Sequence, residues 1–310
     1  MHSPIFIIGS VRSGTTMFRI MLNRHPSIRI FGEFEEAVSQ LGDDGWIPLE
    51  KYYDFLRDNR SFRTFGLTIN SQLSYPDLVR DLFLQRHKQT IKPYIGAAIH
   101  SRFDRLPDIW PGAKYIFLRR DPRDVAKSCQ KMGWTGNTFY GADYWINAEK
   151  RLEKLQRRVG EENILIVRYE DLLVNLEYEL ARVCSFIGVP YSDEMLSYDE
   201  RSTYDAPDPS FCYQWRRNHS KRDISLTEAA CGGMLVEAGY EPSGYAKPSL
   251  NALARLFLWL EHRIWRIWRS IEDDGFIFWI SLRLSERLPF RGWRSRMRLE
   301  RNERVRTRLK

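Results

Sequence analysis

The sequence predicts an α/β fold, a parallel sheet flanked by helices, with a basic helical extension at its C-terminal end. Three observations predict it: short runs that are apolar throughout and lead into helical patterns, a glycine-bearing turn after the first run, and a late change in charge. From Pro4 the chain reads as a buried strand, Ile5 to Ile8, then the turn, then a helix running to about His25 and stopped by Pro26. The unit recurs at Lys114 to Leu118, where Asp121 suits an N-cap and Pro122 a first helical residue. Tyr144, Ala148, Leu152, Leu155 and Val159 share one face of a further helix that ends at Gly160. The last strand, Asn163 to Val167, precedes a helix with Leu176, Leu180, Val183 and Ile187 on one side, closed by Gly188 and Pro190.

With 310 residues, 43% hydrophobic and 14% aromatic, the chain can bury the core of one large α/β domain with an appendage, which argues against whole-chain disorder. No internal repeat or low-complexity linker stands out. The net charge of +8 is unevenly placed: residues 246–310 hold 16 Lys and Arg against 7 Asp and Glu, leaving 32 against 33 before them. Pro242, Gly244 and Pro248 punctuate that change, so the expected division is a domain at 1–245 and a basic amphipathic helical tail at 246–310.

Cys129, Cys184, Cys212 and Cys231 are widely spaced and form no CxxC pair, so neither a disulfide framework nor a structural zinc is expected. The first strand begins at once, without a signal-peptide pattern, and the longest apolar run elsewhere, Leu256 to Leu260, falls far short of the roughly 20 residues of a membrane helix. The expectation is a cytoplasmic protein, with a peripheral membrane association left open by the tail.

The segment Gly9-Ser-Val-Arg-Ser-Gly-Thr-Thr16 has P-loop glycine spacing, with backbone amides and a helix start free to hold an anion. A nucleotide phosphate is the natural guest, which makes the expected fold one of the P-loop nucleotide-binding type. A kinase using ATP would place lysine where Thr15 stands, and Arg12 is the loop's cation instead. A tight turn with two glycines would explain the spacing but not the whole run. A second basic segment, Arg120-Asp-Pro-Arg-Asp-Val-Ala-Lys-Ser128, follows the Lys114 strand, and its guanidinium fork and hydroxyl suit a terminal dianionic phosphate.

Arg12 to Thr16 resembles the 5′-phosphosulfate loop of sulfotransferases that use 3′-phosphoadenosine 5′-phosphosulfate (PAPS), and Arg120 with Ser128 resembles that family's 3′-phosphate segment. The resemblance covers roughly Pro4 to Tyr240. It implies PAPS as donor, held by Arg12, Ser13, Gly14, Thr15, Thr16, Arg120 and Ser128, with no metal required. Arg168-Tyr-Glu-Asp-Leu172 is similar to the segment whose tyrosine lies near the adenine, which gives that place to Tyr169. Gln214 to Asn218 with Lys221 resembles a late basic segment that returns to the phosphates, implicating Arg216 and Arg217, although the Arg-Lys-Gly motif of the cytosolic branch is missing.

Sulfuryl transfer asks for in-line geometry, charge stabilisation and a base, and Arg12 with the loop amides suits the second need. Glu33, after Phe31-Gly32, stands where some branches of the family keep a catalytic glutamate, with Glu35 and Glu36 crowding the register. His100 is the rival, near the place of the cytosolic branch's catalytic histidine. Glu33 is slightly preferred. The acceptor is a hydroxyl or amine of a carbohydrate, lipid, peptide tyrosine or small metabolite. A rival of another class is a non-catalytic, nucleotide-dependent membrane or scaffold protein.

In the tail, Leu253, Phe257, Leu260, Ile264, Ile267 and Ile271 recur at helical spacing among arginines and tryptophans. This reads either as a pair of helices packed on the domain or on another subunit, which leaves room for a homo-oligomer, or as an element lying on anionic lipid. Nucleic acid fits the charge but no binding motif accompanies it.

Overall fold

The computed structural model describes residues 3–308 other than 44, 89, 198–206 and 289. Five parallel strands form one sheet in the order β2-β3-β1-β4-β5. They are β1 (Ile5–Ile8), β2 (Ile28–Glu33), β3 (Tyr94–Ile99), β4 (Lys114–Arg119) and β5 (Ile164–Arg168). The helices in chain order are α1 (Thr15–Arg24), α2 (Leu49–Asp58), α3 (Arg60–Thr64), α4 (Tyr75–His87), α5 (Pro122–Lys131), α6 (Thr138–Val159), α7 (Tyr169–Val174) and α8 (Leu176–Ile187). There follow α9 (Trp215–Asn218), α10 (Lys221–Cys231), α11 (Met234–Glu237), α12 (Ala252–Asp274), α13 (Phe276–Arg287) and α14 (Arg291–Arg308).

The expected caps are present. Asp121 accepts a bond from Arg123 N–H at the start of α5, Gly160 ends α6, and Gly188 closes α8 in the left-handed conformation. The apolar strands are covered on both faces, with Phe6, Ile8, Tyr115 and Phe117 in one core and Ile5, Ile7, Ile116 and Leu118 in the other. Alternation along β1 and β4 thus feeds both layers.

Two strands were not anticipated. β2 carries an exposed Arg29 and a glycine near its end, and β3 is built of Gly96, Ala97 and Ala98 between isoleucines, a composition poor in strand formers. Tertiary pairing overrides that weakness, since β3 is sandwiched between β1 and β2. A register shift at Gly32 bends the end of β2 and pairs Glu33 with Ala98.

Among the described residues the tail holds three helices rather than the expected pair, with Gly275 separating α12 from α13 and α13 ending at Arg287 before α14 begins at Arg291. Helix α12 is docked on the α/β layer. Asn137 donates to Leu258 O at 2.9 Å and to Glu261 at 3.0 Å, His262 Nδ1 accepts from Gly136 N–H, and Arg222 pairs with Glu261 at 2.8 Å. A Cβ on Gly136 would stand 2.6 Å from His262 Cα, so glycine permits this close crossing. Ser295 and Asn302 of α14 reach back to Asp58 at the end of α2.

Candidate active site

In an open parallel sheet, ligands bind beyond the C-terminal strand ends where neighbouring crossovers leave in opposite directions. Here that point lies between β1, whose chain moves toward β2, and β4, whose chain moves toward β5. The loop 9–14 follows β1 and Arg120 follows β4, so the order of strands alone brings the two basic segments together. A cleft of about 350 Å³ opens there, lined among others by Arg12, Gly14, Thr15, Thr16, Glu33, His100, Arg120, Ser128 and Tyr169.

Arg12 adopts a left-handed backbone (φ 67°) and sends its exposed side chain across the cleft, where Nε donates to Ser128 Oγ at 2.9 Å. Arg120 lies over the Tyr169 ring at 4.2 Å and donates to Arg12 O at 3.3 Å, while its Nε is shielded from solvent and has no acceptor. A buried cationic donor in that state is what an anion would satisfy. Gly14 presses against the other part of the same ring: a Cβ there would meet Tyr169 Cδ2 at 2.5 Å, and φ of 95° already favours glycine. The first amides of α1 open toward this side without intrahelical acceptors.

His100 directly follows β3, with Nδ1 at 3.1 Å from Gly9 O, a carbonyl that can only accept. The proton therefore sits on Nδ1, and Nε2 accepts from Thr15 Oγ1 at 3.4 Å. The three glutamates of the 33–36 run separate by role. Glu35 accepts from the His100 and Ser101 amides and the Ser101 hydroxyl. Glu36 is buried 3.9 Å from Arg86 with its Oε1 lacking a hydrogen-bond partner, and burial pushes its carboxyl up to about 7 despite that guanidinium. Glu33 alone of the three lines the cleft, exposed at the end of β2.

Three residues named from sequence do not line it. The Ser13 hydroxyl is buried and donates to Ser10 O at 2.6 Å. Arg217 is spent on the carbonyls of Ser210 and Cys212, and Arg216 lies over Tyr213 at 4.8 Å. From that segment Gln214 and His219 line the cleft instead. Asp124 pins the segment by accepting the amides of Gln214 at 3.0 Å and Trp215 at 2.8 Å, and burial raises its carboxyl to about 6. Beneath it, Arg123 bridges Asp121 and Glu228 at 2.6 and 2.8 Å while stacking on Trp215.

Sequence reading also missed Lys127 and Lys131 on the cleft wall. The available signal was their spacing: with Asp124 and Ser128 they fall on one helical face. Burial, reinforced by these two lysines, holds His219 down to about 4. Its 3.8 Å approach to Asp124 is thus a contact of a neutral ring near pH 7.

The sequence model of the sulfotransferase family matches residues 4–193, which include all five strands, the loop at 9–16 and the segment from Arg120 to Ser128. The chain belongs to the sulfotransferase family. This sulfotransferase chain is 27% identical over 213 residues to protein-tyrosine sulfotransferase A of Caenorhabditis elegans, covering 64% of this chain and 53% of that protein. It is 26% identical over 214 residues to the Drosophila melanogaster protein-tyrosine sulfotransferase, covering 64% and 40% respectively. It thus spans about half the length of these relatives. Among solved structures, the sulfotransferase domain of the curacin biosynthetic pathway shares the fold at TM-score 0.50, with 21% identity over 78% of this chain and 99% of that one. The sulfotransferase domain of the Synechococcus olefin synthase does so at TM-score 0.50, 20% identity, 73% and 94%.

Proposed function

We propose that this chain moves a sulfuryl group from PAPS to a hydroxyl or amine of its acceptor. The observation that carries the reading is the joining of the two phosphate segments in one cationic cleft, by the bond from Arg12 to Ser128 and the stack of Arg120 on Tyr169. Donor residues in this reading are Arg12, Gly14, Thr15, Thr16, Arg120, Ser128 and Tyr169, with Lys127 and Lys131 as further cations at the wall. Bound there, PAPS supplies the sulfuryl group. Arg12 and the first amides of α1 neutralise charge on the departing 5′-phosphate oxygen, and Arg120 with Ser128 holds the 3′-phosphate.

Glu33 is the proposed base. It is the accessible carboxylate of its run, whereas His100 is tied to Gly9 and Thr15 and is read as a group that orders the loop. As the acceptor oxygen attacks sulfur, its proton passes to the Glu33 carboxylate and the bond from sulfur to the bridging phosphate oxygen breaks. Of the acceptor classes, a peptide tyrosine is favoured by the names of the relatives. A phenol, deprotonated only near pH 10 in water, needs such a base at neutral pH.

Calorimetry with adenosine 3′,5′-bisphosphate and ATP, alongside turnover of PAPS on tyrosine peptides, tests the reading. Tight bisphosphate binding with sulfate transfer supports it. Preference for ATP would return the chain to the kinase alternative, and binding without any turnover to the scaffold alternative.

A further inference from the structure

The tail contains a second cationic cleft, of about 360 Å³, between α12, α13 and α14. Arg263 and Arg266 of α12 face Arg283 and Arg287 of α13 across it, Arg301 of α14 closes it, and Glu286 is the single acidic residue among the described residues of its wall. None of these five arginines forms an ion pair with a carboxylate among the described residues, unlike Arg269 and Arg304 nearby, which do. Trp279, also in the wall, has an indole N–H shielded from solvent and without an acceptor. Five guanidinium groups around one cavity with one carboxylate among its described lining repel one another, and a multiply charged anion lowers that cost.

What borders the cleft is apolar. On α12, Leu253, Leu256, Phe257, Leu260, Ile264 and Trp268 recur at helical spacing and are exposed, Ile264 at 64%. The opposite face of the helix, with Leu258 and His262, is the one docked on the α/β layer. Helix α13 repeats the arrangement: Phe278, Leu282 and Ser285 turn inward, while Ile277 at 80%, Ile280 and Leu284 turn outward. Because the arginines of both helices line the same cavity, an outward apolar stripe lies on each side of it.

A second copy of the chain would cover the stripes only by bringing its own basic tail, with 16 Lys and Arg against 7 acidic residues, against this one. An anionic bilayer covers apolar stripes and neutralises arginines together. We propose that the tail lies on the surface of an anionic membrane, with the arginine cleft taking lipid phosphate headgroups and the α12 and α13 stripes entering the acyl boundary. No described helix is long and apolar enough to cross a bilayer, which fits an element lying in the interface plane. Since α12 is bolted to the α6 start through Gly136 and Asn137, binding would hold the catalytic cleft at a fixed attitude to the membrane.

The test uses the full chain in co-sedimentation with vesicles of phosphatidylcholine alone and of phosphatidylcholine mixed with phosphatidylglycerol. Binding should be at least about tenfold stronger to the anionic vesicles and should weaken with salt, while a residual apolar part persists. The double variant R283E/R287E should lose roughly tenfold or more of the anionic binding, and F257S/I264S the salt-resistant part, each at an unchanged melting temperature because all four residues are exposed. Equal binding to both vesicle types, or full binding by R283E/R287E, overturns the proposal. So does release of the protein from anionic vesicles by inorganic phosphate at matched ionic strength, which would assign the cleft to free phosphate. A dimer in the absence of vesicles that F257S/I264S dissolves would assign the stripes to a second copy and overturn it equally.

Discussion

Arg12 and Ser128 stand 116 residues apart in sequence and meet through a 2.9 Å bond from Nε to Oγ. Arg120 completes the bridge from the other side by donating to Arg12 O. The loop after β1 and the helix after β4 therefore meet in one cationic cleft, and on the proposed reading weakening either partner should be felt as loss of a specific phosphate.

Adenosine 3′,5′-bisphosphate should bind much more tightly than adenosine 5′-phosphate, and R120A should remove most of that preference. A charged hydrogen bond contributes about 1.5–3 kcal/mol, so the calorimetric gap should shrink roughly 10- to 100-fold. Equal wild-type affinities would refute the assignment of Arg120.

R12A should abolish transfer and leave the fold intact, because the side chain is exposed and touches no core. Circular dichroism and donor turnover separate the two effects. An unfolded variant would mark a structural arginine, and an active one would remove its charge role.

Replacing Glu33 with Gln should lower the transfer rate by a factor on the order of 10² to 10⁴ with donor affinity nearly unchanged. H100A should instead weaken donor binding, since the ring holds Gly9 O and Thr15 of the loop proposed to bind the donor. A rate loss confined to H100A would exchange the two roles.

G14A should cost about 1–3 kcal/mol of stability from its backbone conformation alone, and more from the ring it would strike. Displacing Tyr169 also disturbs the stack under Arg120, so nucleotide affinity should fall with the melting temperature. Unchanged affinity in a folded variant would dissociate Tyr169 from the donor site.

Glu36 titrates near 7 in the folded chain and at 4.5 ordinarily, so between those values the folded state holds the extra proton. Its contribution to stability is complete below about pH 4.5 and declines as pH rises toward 7. Thermal melts across that window should show E36Q losing this slope relative to wild type, with its advantage growing as pH rises. Parallel curves for the two proteins would contradict the shift.

Local pattern was enough to read the chain between Ile5 and the Gly188 cap wherever an apolar strand met a capped helix, because periodicity and caps are encoded by near neighbours. It also supplied Arg12, Arg120 and Ser128, whose motifs are contiguous in sequence. Partner choice lay beyond it. β3 is a strand because β1 and β2 pair with it, and Glu33 faces the cleft because of a bulge at Gly32. Glu35 and Glu36 were diverted to Ser101 and the vicinity of Arg86. Arg216 and Arg217 look basic and phosphate-seeking in sequence, but the Asp124 anchor turns that segment so that Gln214 and His219 line the cleft. In the tail, helical spacing marked an apolar stripe and could not say which way it faced. The crossing at Gly136 decided that by spending the Leu258 and His262 face on the domain, leaving the stripe outward. Spacing fixes which side chains share a face, and only long-range packing fixes what that face meets.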